Sequence, residues 1–261
     1  MKGSLNQLLK GKKGLIMGVA NDRSIAWTAA EAASRAGAQL AFTYQNHAMA
    51  RRVVPLADSV GAEITIPCDV ADGDEIDSAF DAIAERWNSI DFVVHAISFS
   101  DRNELKGRYV DASRENMLNS LLVSCYSFTR VAQRAASIAN FGASLVTYTF
   151  EGSRHVVPSY NVMGVAKAAL ESASRYLARG LGPDGVRVNM VAAGPIRTIA
   201  AKSIPGFAEF EDAWETRSPL GWDVNDTEPI ARACVALLSD WFPATTGEMI
   251  HVDGGYHAIG A

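Results

Sequence analysis

Short apolar runs alternate with longer segments of helical period along this whole sequence, and that alternation restricts the fold more than any other feature. "GLIMGVA" (14–20), "QLAFTY" (39–44), "EITIPCDV" (63–70), "DFVVHAI" (91–97), "ASLVTYTF" (143–150), "VRVNMVAA" (186–193) and "EMIHVD" (248–253) read as strands. Between them, helical patterns cover 24–37, 49–60, 73–87, 115–139, 158–182 and 228–239, with an irregular region over 194–227. Pro55 is expected to kink the second helix or mark its start. Strands that are apolar throughout need cover on both faces, which predicts an α/β fold of the doubly wound Rossmann type, a parallel sheet of about seven strands between two helical layers. The 261 residues contain no linker, low-complexity stretch or repeat beyond the βα unit, so residues 1–261 are read as one domain.

Bulk properties then narrow the function. A net charge of −5 removes the electrostatic case for nucleic acid or an anionic membrane. Cys68, Cys125 and Cys234 lie far apart with no CxxC spacing, which favours buried thiols in a reducing compartment over a disulfide framework or zinc site. The first apolar run is interrupted by Gly14 and Gly18 and leads straight into the fold pattern, unlike a signal peptide. No apolar stretch would span a bilayer. A cytoplasmic protein is the expectation.

"SYNVMGVAK" (159–167) carries Tyr160 and Lys167 seven positions apart. On a continuous helix, seven residues at ~100° each bring the two side chains within roughly 20° of one face. A long lysine leaning toward the helix N-terminus would then reach back toward the tyrosine. An arbitrary Tyr/Lys pair of this kind is usually a half-buried ring and a solvated ammonium, so the spacing needs support from elsewhere.

Support comes from the strand-to-helix turns. "MGVANDRSIA" follows the first strand, where backbone N–H groups and a helix N-terminus can meet a pyrophosphate. Gly18 fits, but the usual G-x-G-x-x-G is absent, and Ser24 serves equally well as a plain N-cap. After the second strand, Gln45 stands where an acid would mark NAD and an arginine NADP. A neutral amide can bond a ribose hydroxyl but offers no charge to a 2′-phosphate, which leans toward NADH. Arg51 and Arg52 are expected on the helix surface. Asp69 in "CDV" reads either as an acceptor for an adenine amino group or as a turn carboxylate.

Taken together, "GVANDRSIA", "AFTYQN", "CDV", "VHAISFS", "YNVMGVAK" and "AAGPIRT" fall in the order and spacing of the enoyl-acyl-carrier-protein reductases. The chain resembles this branch of the short-chain dehydrogenase/reductase superfamily from about Gly11 to Gly255. Tyr-x6-Lys is the most specific piece, since other members mostly space the pair by three. The resemblance implies that Gly18, Ser24 and Ile25 lie along the pyrophosphate of NADH (NAD+), and Gln45 beside the adenosine ribose. Asp69 and Val70 would flank adenine, Ile97 the nicotinamide ribose, and Ile196 and Thr198 the nicotinamide end. Lys167 would hold the ribose hydroxyls and, by its charge, lower the pKa of Tyr160, the catalytic hydroxyl. Ser98, Ser100, Tyr160 and Phe207 would meet an acyl-carrier-protein-bound enoyl substrate. A homotetramer with the 115–139 and 158–182 helices at subunit interfaces is also implied.

Two departures from the family pattern stand out. Phe150 occupies the catalytic-pocket position where many members carry a second tyrosine, and Tyr148 lies two residues earlier. Ser98 replaces a common glycine, adding bulk where the flat aromatic inhibitors of this family stack on the nicotinamide. In the 197–226 loop, Phe207, Phe210 and Trp214 recur at roughly helical spacing, as in the wall of an acyl tunnel, behind a hinge at Ile204, Pro205 and Gly206. The plainer alternative is that these aromatics pack on the core. Arg102, Lys106, Lys202 and Arg217 are candidates for contact with the acidic carrier protein. His47, His155, His251 and His257 show no metal-ligand spacing, and His95 reads as structural. A carbonyl (3-oxoacyl) reductase of the same superfamily and a non-catalytic NADH-binding paralogue are the alternative functions. The x6 spacing counts against the first and the intact Tyr160/Lys167 pair against the second.

Overall fold

A computed structural model describes residues 7–198 and 207–260. The expected hinge at Ile204, Pro205 and Gly206 and the candidate Lys202 lie outside the described residues, as do the side chains of Phe207 and Phe210.

Seven strands form one sheet: β1 Lys13–Met17, β2 Gln39–Tyr44, β3 Ile64–Pro67, β4 Ile90–His95, β5 Ala139–Thr149, β6 Arg187–Ala193 and β7 Met249–Val252. Every neighbouring pair is parallel, in the order β3-β2-β1-β4-β5-β6-β7. The apolar runs become the inner strands, and all seven residues of β6 are buried. Its two polar members are satisfied locally. Arg187 donates to the carbonyls of Leu237, Ser239 and Phe242, closing the end of the last helix, and Asn189 donates to Thr245 O.

Helices cover both faces. Helices α1 (Ile25–Arg35) and α2 (His47–Ser59) pack one face, joined by the last helix, α8 (Glu228–Leu238). Helices α3 (Gly73–Trp87), α5 (Ser127–Ala136) and α6 (Val162–Leu181) pack the other. α3 matches the sequence expectation: Asp72 caps it by accepting from Asp74 N at 2.9 Å, and Asp74 and Glu75 sit in its first turn, where negative charge favours the dipole.

Three departures from the sequence reading have local causes. Pro55 neither starts nor ends α2, which is capped by Asn46 and runs through the proline to Ser59. Pro55 is exposed there, so the carbonyl left without its N–H partner can be hydrated. The long helix expected over 115–139 is two, α4 (Arg114–Leu121) and α5, joined by a wider π-type turn over Leu122–Tyr126, and β5 begins already at Ala139. The helix expected from Pro158 begins at Val162, because Ser159 (φ 61°) and Asn161 (φ 37°) adopt left-handed backbone conformations incompatible with it. Tyr160 therefore precedes α6 rather than riding on it.

Candidate active site

The strand order reverses between β1 and β4, so their following loops diverge and leave a crevice at the carboxyl ends of the strands. This crevice has a volume of about 1080 Å³. Gly18 opens it on the β1 side: its φ is +100°, and a Cβ there would stand 2.2 Å from the Ala96 carbonyl oxygen. Only glycine lets this turn pass so close to the loop after β4. Ser24 and Ile25 line the crevice at the start of α1, and a helix N-terminus is where an anion is favoured. Ser24 makes no capping bond; its hydroxyl donates to Asn21 O at 2.7 Å and shapes the turn instead.

Gln45 and Asp69 come together at the far wall, the Gln45 amide donating to Asp69 Oδ2 at 3.0 Å. Asp69 Oδ1 accepts from Ala71 N, so this carboxylate is a turn-former, with Val70 beside it on the same wall. Arg51 and Arg52 are exposed on α2 and are not among the crevice-lining residues. Ile97, Ile196 and Thr198 line the middle of the cleft, and Thr198 N bonds back to Ile196 O at 2.7 Å.

Tyr160 and Lys167 both line the crevice, Tyr160 within the cluster that makes this end apolar. Tyr160 is 8% exposed and Lys167 7%. The left-handed turn that takes Tyr160 off the helix is held by Asn161, whose Nδ2 donates to the carbonyls of Leu105 at 3.1 Å and Gly107 at 3.3 Å. The Tyr160 ring lies edge-on to Phe150, with centroids 5.2 Å apart. Its other neighbour is the backbone of Gly152, where a Cβ would come within 2.6 Å of the ring. Leu105, Met163 and Val157 complete this apolar end. Lys167 Nζ donates to the Tyr148 carbonyl at 2.8 Å. The Tyr148 ring itself packs into the core on the α1/α8 face, so the strand contributes an acceptor here and not a second phenol.

The charges differ from the sequence expectation in one respect. Burial first, and then the carboxylate of Glu171, push the Tyr160 phenol well above its ordinary pKa. Lys167, whose Nζ donates to the Tyr148 carbonyl, is not among the groups that shift it. Tyr160 therefore keeps its proton at neutral pH. Burial lowers Lys167 to about 8, opposed by Glu171 and more weakly by Cys125.

The loop after β4 is pinned by residues that the strand-and-motif reading passed over. Ser124, presented by the π-type turn, accepts from Phe99 N at 2.9 Å and donates to Phe99 O at 3.1 Å. Asn116 Oδ1 accepts from Ser100 Oγ at 3.2 Å and Asp101 N at 2.8 Å. Ser98 and Ser100 thus line the cleft on a fixed loop. His95 is fully buried and lowered to about 3 by burial. Ser127 Oγ donates to Val123 O and so accepts from His95 Nε2 at 2.9 Å, and burial keeps the ring neutral, in a structural role.

The 197–226 segment forms a helix, α7, over Phe207–Arg217. Trp214 stacks on Phe150 at 5.6 Å and on Tyr256 at 3.7 Å, behind the cleft wall rather than in it. Of the basic candidates, Arg102 lines the mouth of the cleft, Lys106 is exposed nearby, and Arg217 covers the Tyr256 ring at 5.5 Å. His251 stacks on His257, which pairs with Asp253, and His155 pairs with Glu151. Among the described residues no His, Cys, Asp and Glu side chains converge as a metal site.

A doubly wound parallel sheet with a glycine turn and helix N-terminus at its switch point, and a buried Tyr/Lys pair beside them, defines the dinucleotide-dependent reductase class. The enoyl-(acyl carrier protein) reductase family model matches residues 18–257. The NADH enoyl-[acyl-carrier-protein] reductase 1 of Rhizobium meliloti (strain 1021) is 51% identical over 253 residues, covering 97% of this chain and 93% of that protein. FabI from Candidatus Liberibacter asiaticus superposes with a TM-score of 0.95 at 46% identity, covering 98% of this chain and 99% of that one. The Anaplasma phagocytophilum enoyl-(acyl-carrier-protein) reductase, crystallised with NAD, gives 0.92 at 46% identity, covering 98% and 95%. The chain belongs to the enoyl-(acyl carrier protein) reductase family.

Proposed function

We propose that this protein reduces trans-2-enoyl thioesters carried on acyl carrier protein, using NADH, to the saturated acyl thioesters of fatty-acid elongation. One observation carries the reading: a proton-bearing, buried tyrosine and a buried lysine line one large cleft that also holds the Gly18 turn and ends in an apolar cluster. The residues fit the cofactor, since the Gly18 turn and the α1 N-terminus suit a pyrophosphate and the Gln45/Asp69 wall suits ribose hydroxyls. When bound, NADH supplies the hydride that adds to the β-carbon of the enoyl thioester.

Hydride addition drives negative charge onto the thioester oxygen, and Tyr160 is the donor for that atom. Its raised pKa keeps the proton in place until the oxygen becomes basic. The Lys167 ammonium, oriented by the Tyr148 carbonyl, binds the nicotinamide ribose and adds positive charge beside the developing anion. Phe150, with Leu105, Val157 and Met163, keeps the acyl end dry. We read residues 1–261 as a single reductase domain that works in the cytoplasm as a homotetramer. No described helix is long and apolar enough to cross a membrane. Following loss of nicotinamide absorbance with NADH and a crotonyl thioester tests the activity, and no turnover would refute it.

The Gln45/Asp69 wall offers a 2′-phosphate one carboxylate and no cation. A charged hydrogen bond contributes ~1.5–3 kcal/mol, so kcat/KM is expected to favour NADH over NADPH by roughly ten- to a hundredfold. Equal or better use of NADPH would overturn this account of the wall.

Ser98 sets a second expectation. The bonds from Ser124 to Phe99 hold its loop in place, so a rigid aromatic inhibitor stacked at the nicotinamide cannot displace the hydroxymethyl. Overpacking costs ~1–3 kcal/mol, or roughly ten- to a hundredfold in affinity. Flexible acyl chains bend around the same group. Ser98→Gly should therefore tighten such inhibitors by that factor while leaving enoyl turnover close to wild type. Equally tight inhibition of both proteins would show that Ser98 points away from the stacking plane.

A further inference from the structure

Glu171 is a carboxylate only 5% exposed, on α6 one turn beyond Lys167. Burying such a charge is unfavourable unless hydrogen bonds and opposite charge offset it. Here Oε1 accepts from Thr149 Oγ1 at 2.6 Å and from Ser153 Oγ, while Arg154 Nε stands 4.0 Å from Oε2. Thr149 ends β5, and Ser153 closes the turn that follows it. Between these two anchors lie Phe150 and Gly152, the residues against which the Tyr160 ring rests. The adjoining Tyr148 carbonyl is the acceptor for Lys167. One carboxylate thus ties together the backing of both proposed functional side chains.

We propose that Glu171 is a positioning residue of the reductase site: it fastens the end of β5 and its turn to α6, setting the wall behind Tyr160, and presents its negative charge to the Lys167 ammonium. This inference rests on the roles proposed above for Tyr160 and Lys167. The titratable and charged groups around the pair are Tyr160 ahead of α6, Cys125 from the π-type turn, His95 on β4 and Arg154 after β5, with His251 of β7, Glu151 and His155 grouped around Arg154. His95 is neutral, and the Cys125 thiol is pushed up by burial, so Glu171 is the strongest attraction opposing the desolvation of Lys167.

The test separates charge from shape. Glu171→Gln can still accept from Thr149 and Ser153 but loses the charge, whereas Glu171→Asp keeps the charge on a shorter arm. The readout is kcat/KM for a crotonyl thioester at saturating NADH from about pH 6 to 10. An alkaline limb is expected in wild type from Lys167, whose pKa burial lowers to about 8. In Glu171→Gln it should move about one unit lower, because burial then acts on the ammonium with less opposition. In Glu171→Asp the limb should stay, while kcat falls about ten- to a hundredfold through misplacement of the Tyr160 wall. A wild-type limb in Glu171→Gln, or a wild-type kcat in Glu171→Asp, overturns the proposal. Should Glu171→Gln not fold, the Thr149→Val/Ser153→Ala double variant, which keeps the carboxylate and removes its two donors, should lose kcat with an unmoved limb; wild-type kcat would overturn the fastening role. Normal NADH binding by Lys167→Ala would instead refute the parent reading.

Discussion

Tyr160→Phe is expected to lower turnover of a crotonyl thioester about a hundred- to a thousandfold, the usual loss when a donor to a developing oxyanion is removed. The ring packing against Phe150 and Gly152 is untouched by this change, since only the hydroxyl goes. NADH binding, followed by fluorescence titration, should stay within about twofold of wild type, because the hydroxyl acts on charge that appears only in the transition state. Turnover within a few-fold of wild type would remove Tyr160 from the mechanism.

Lys167→Ala is expected to behave differently, weakening NADH binding and turnover together. A charged hydrogen bond to the ribose is worth ~1.5–3 kcal/mol, so Kd for NADH should rise roughly ten- to a hundredfold, and kcat/KM should fall by more. The buried ammonium also has a stability signature. Its folded pKa of about 8 lies below the ordinary 10.5, so the unfolded chain holds the proton more tightly between these values. Below about pH 8 the full cost of burying the charge is present, and it is relieved as pH rises through the window to 10.5. Removing the ammonium should abolish that rise, which thermal unfolding of wild type and variant across the window would read. Unchanged NADH affinity would overturn the ribose-anchoring role.

Which parts of this protein are legible without its structure follows from the range of the interactions involved. Strand and helix order can be read from the chain because burial imprints a local period: β2 and α3 have the same bounds in the sequence reading and in the fold. The parallel sheet follows from strands apolar on both faces, and the Tyr160/Lys167 pair and Gln45 announce themselves by residue type and spacing. The spacing nevertheless suggested a shared helical face that does not exist. Left-handed residues at 159 and 161 place Tyr160, and what stabilises them is Asn161 bonding to a loop more than fifty residues earlier. The tyrosine's protonation likewise depends on burial and on Glu171, neither of which the local pattern reports. Trp214 looked like a tunnel wall by period, yet it stacks behind Phe150 because Tyr256, near the far end of the chain, reaches it. Period and residue type are properties of neighbours along the chain and so were determined by the sequence alone. The positions of the charged and aromatic groups around Tyr160 depend on side chains brought together across the sheet, and only the tertiary structure decided them.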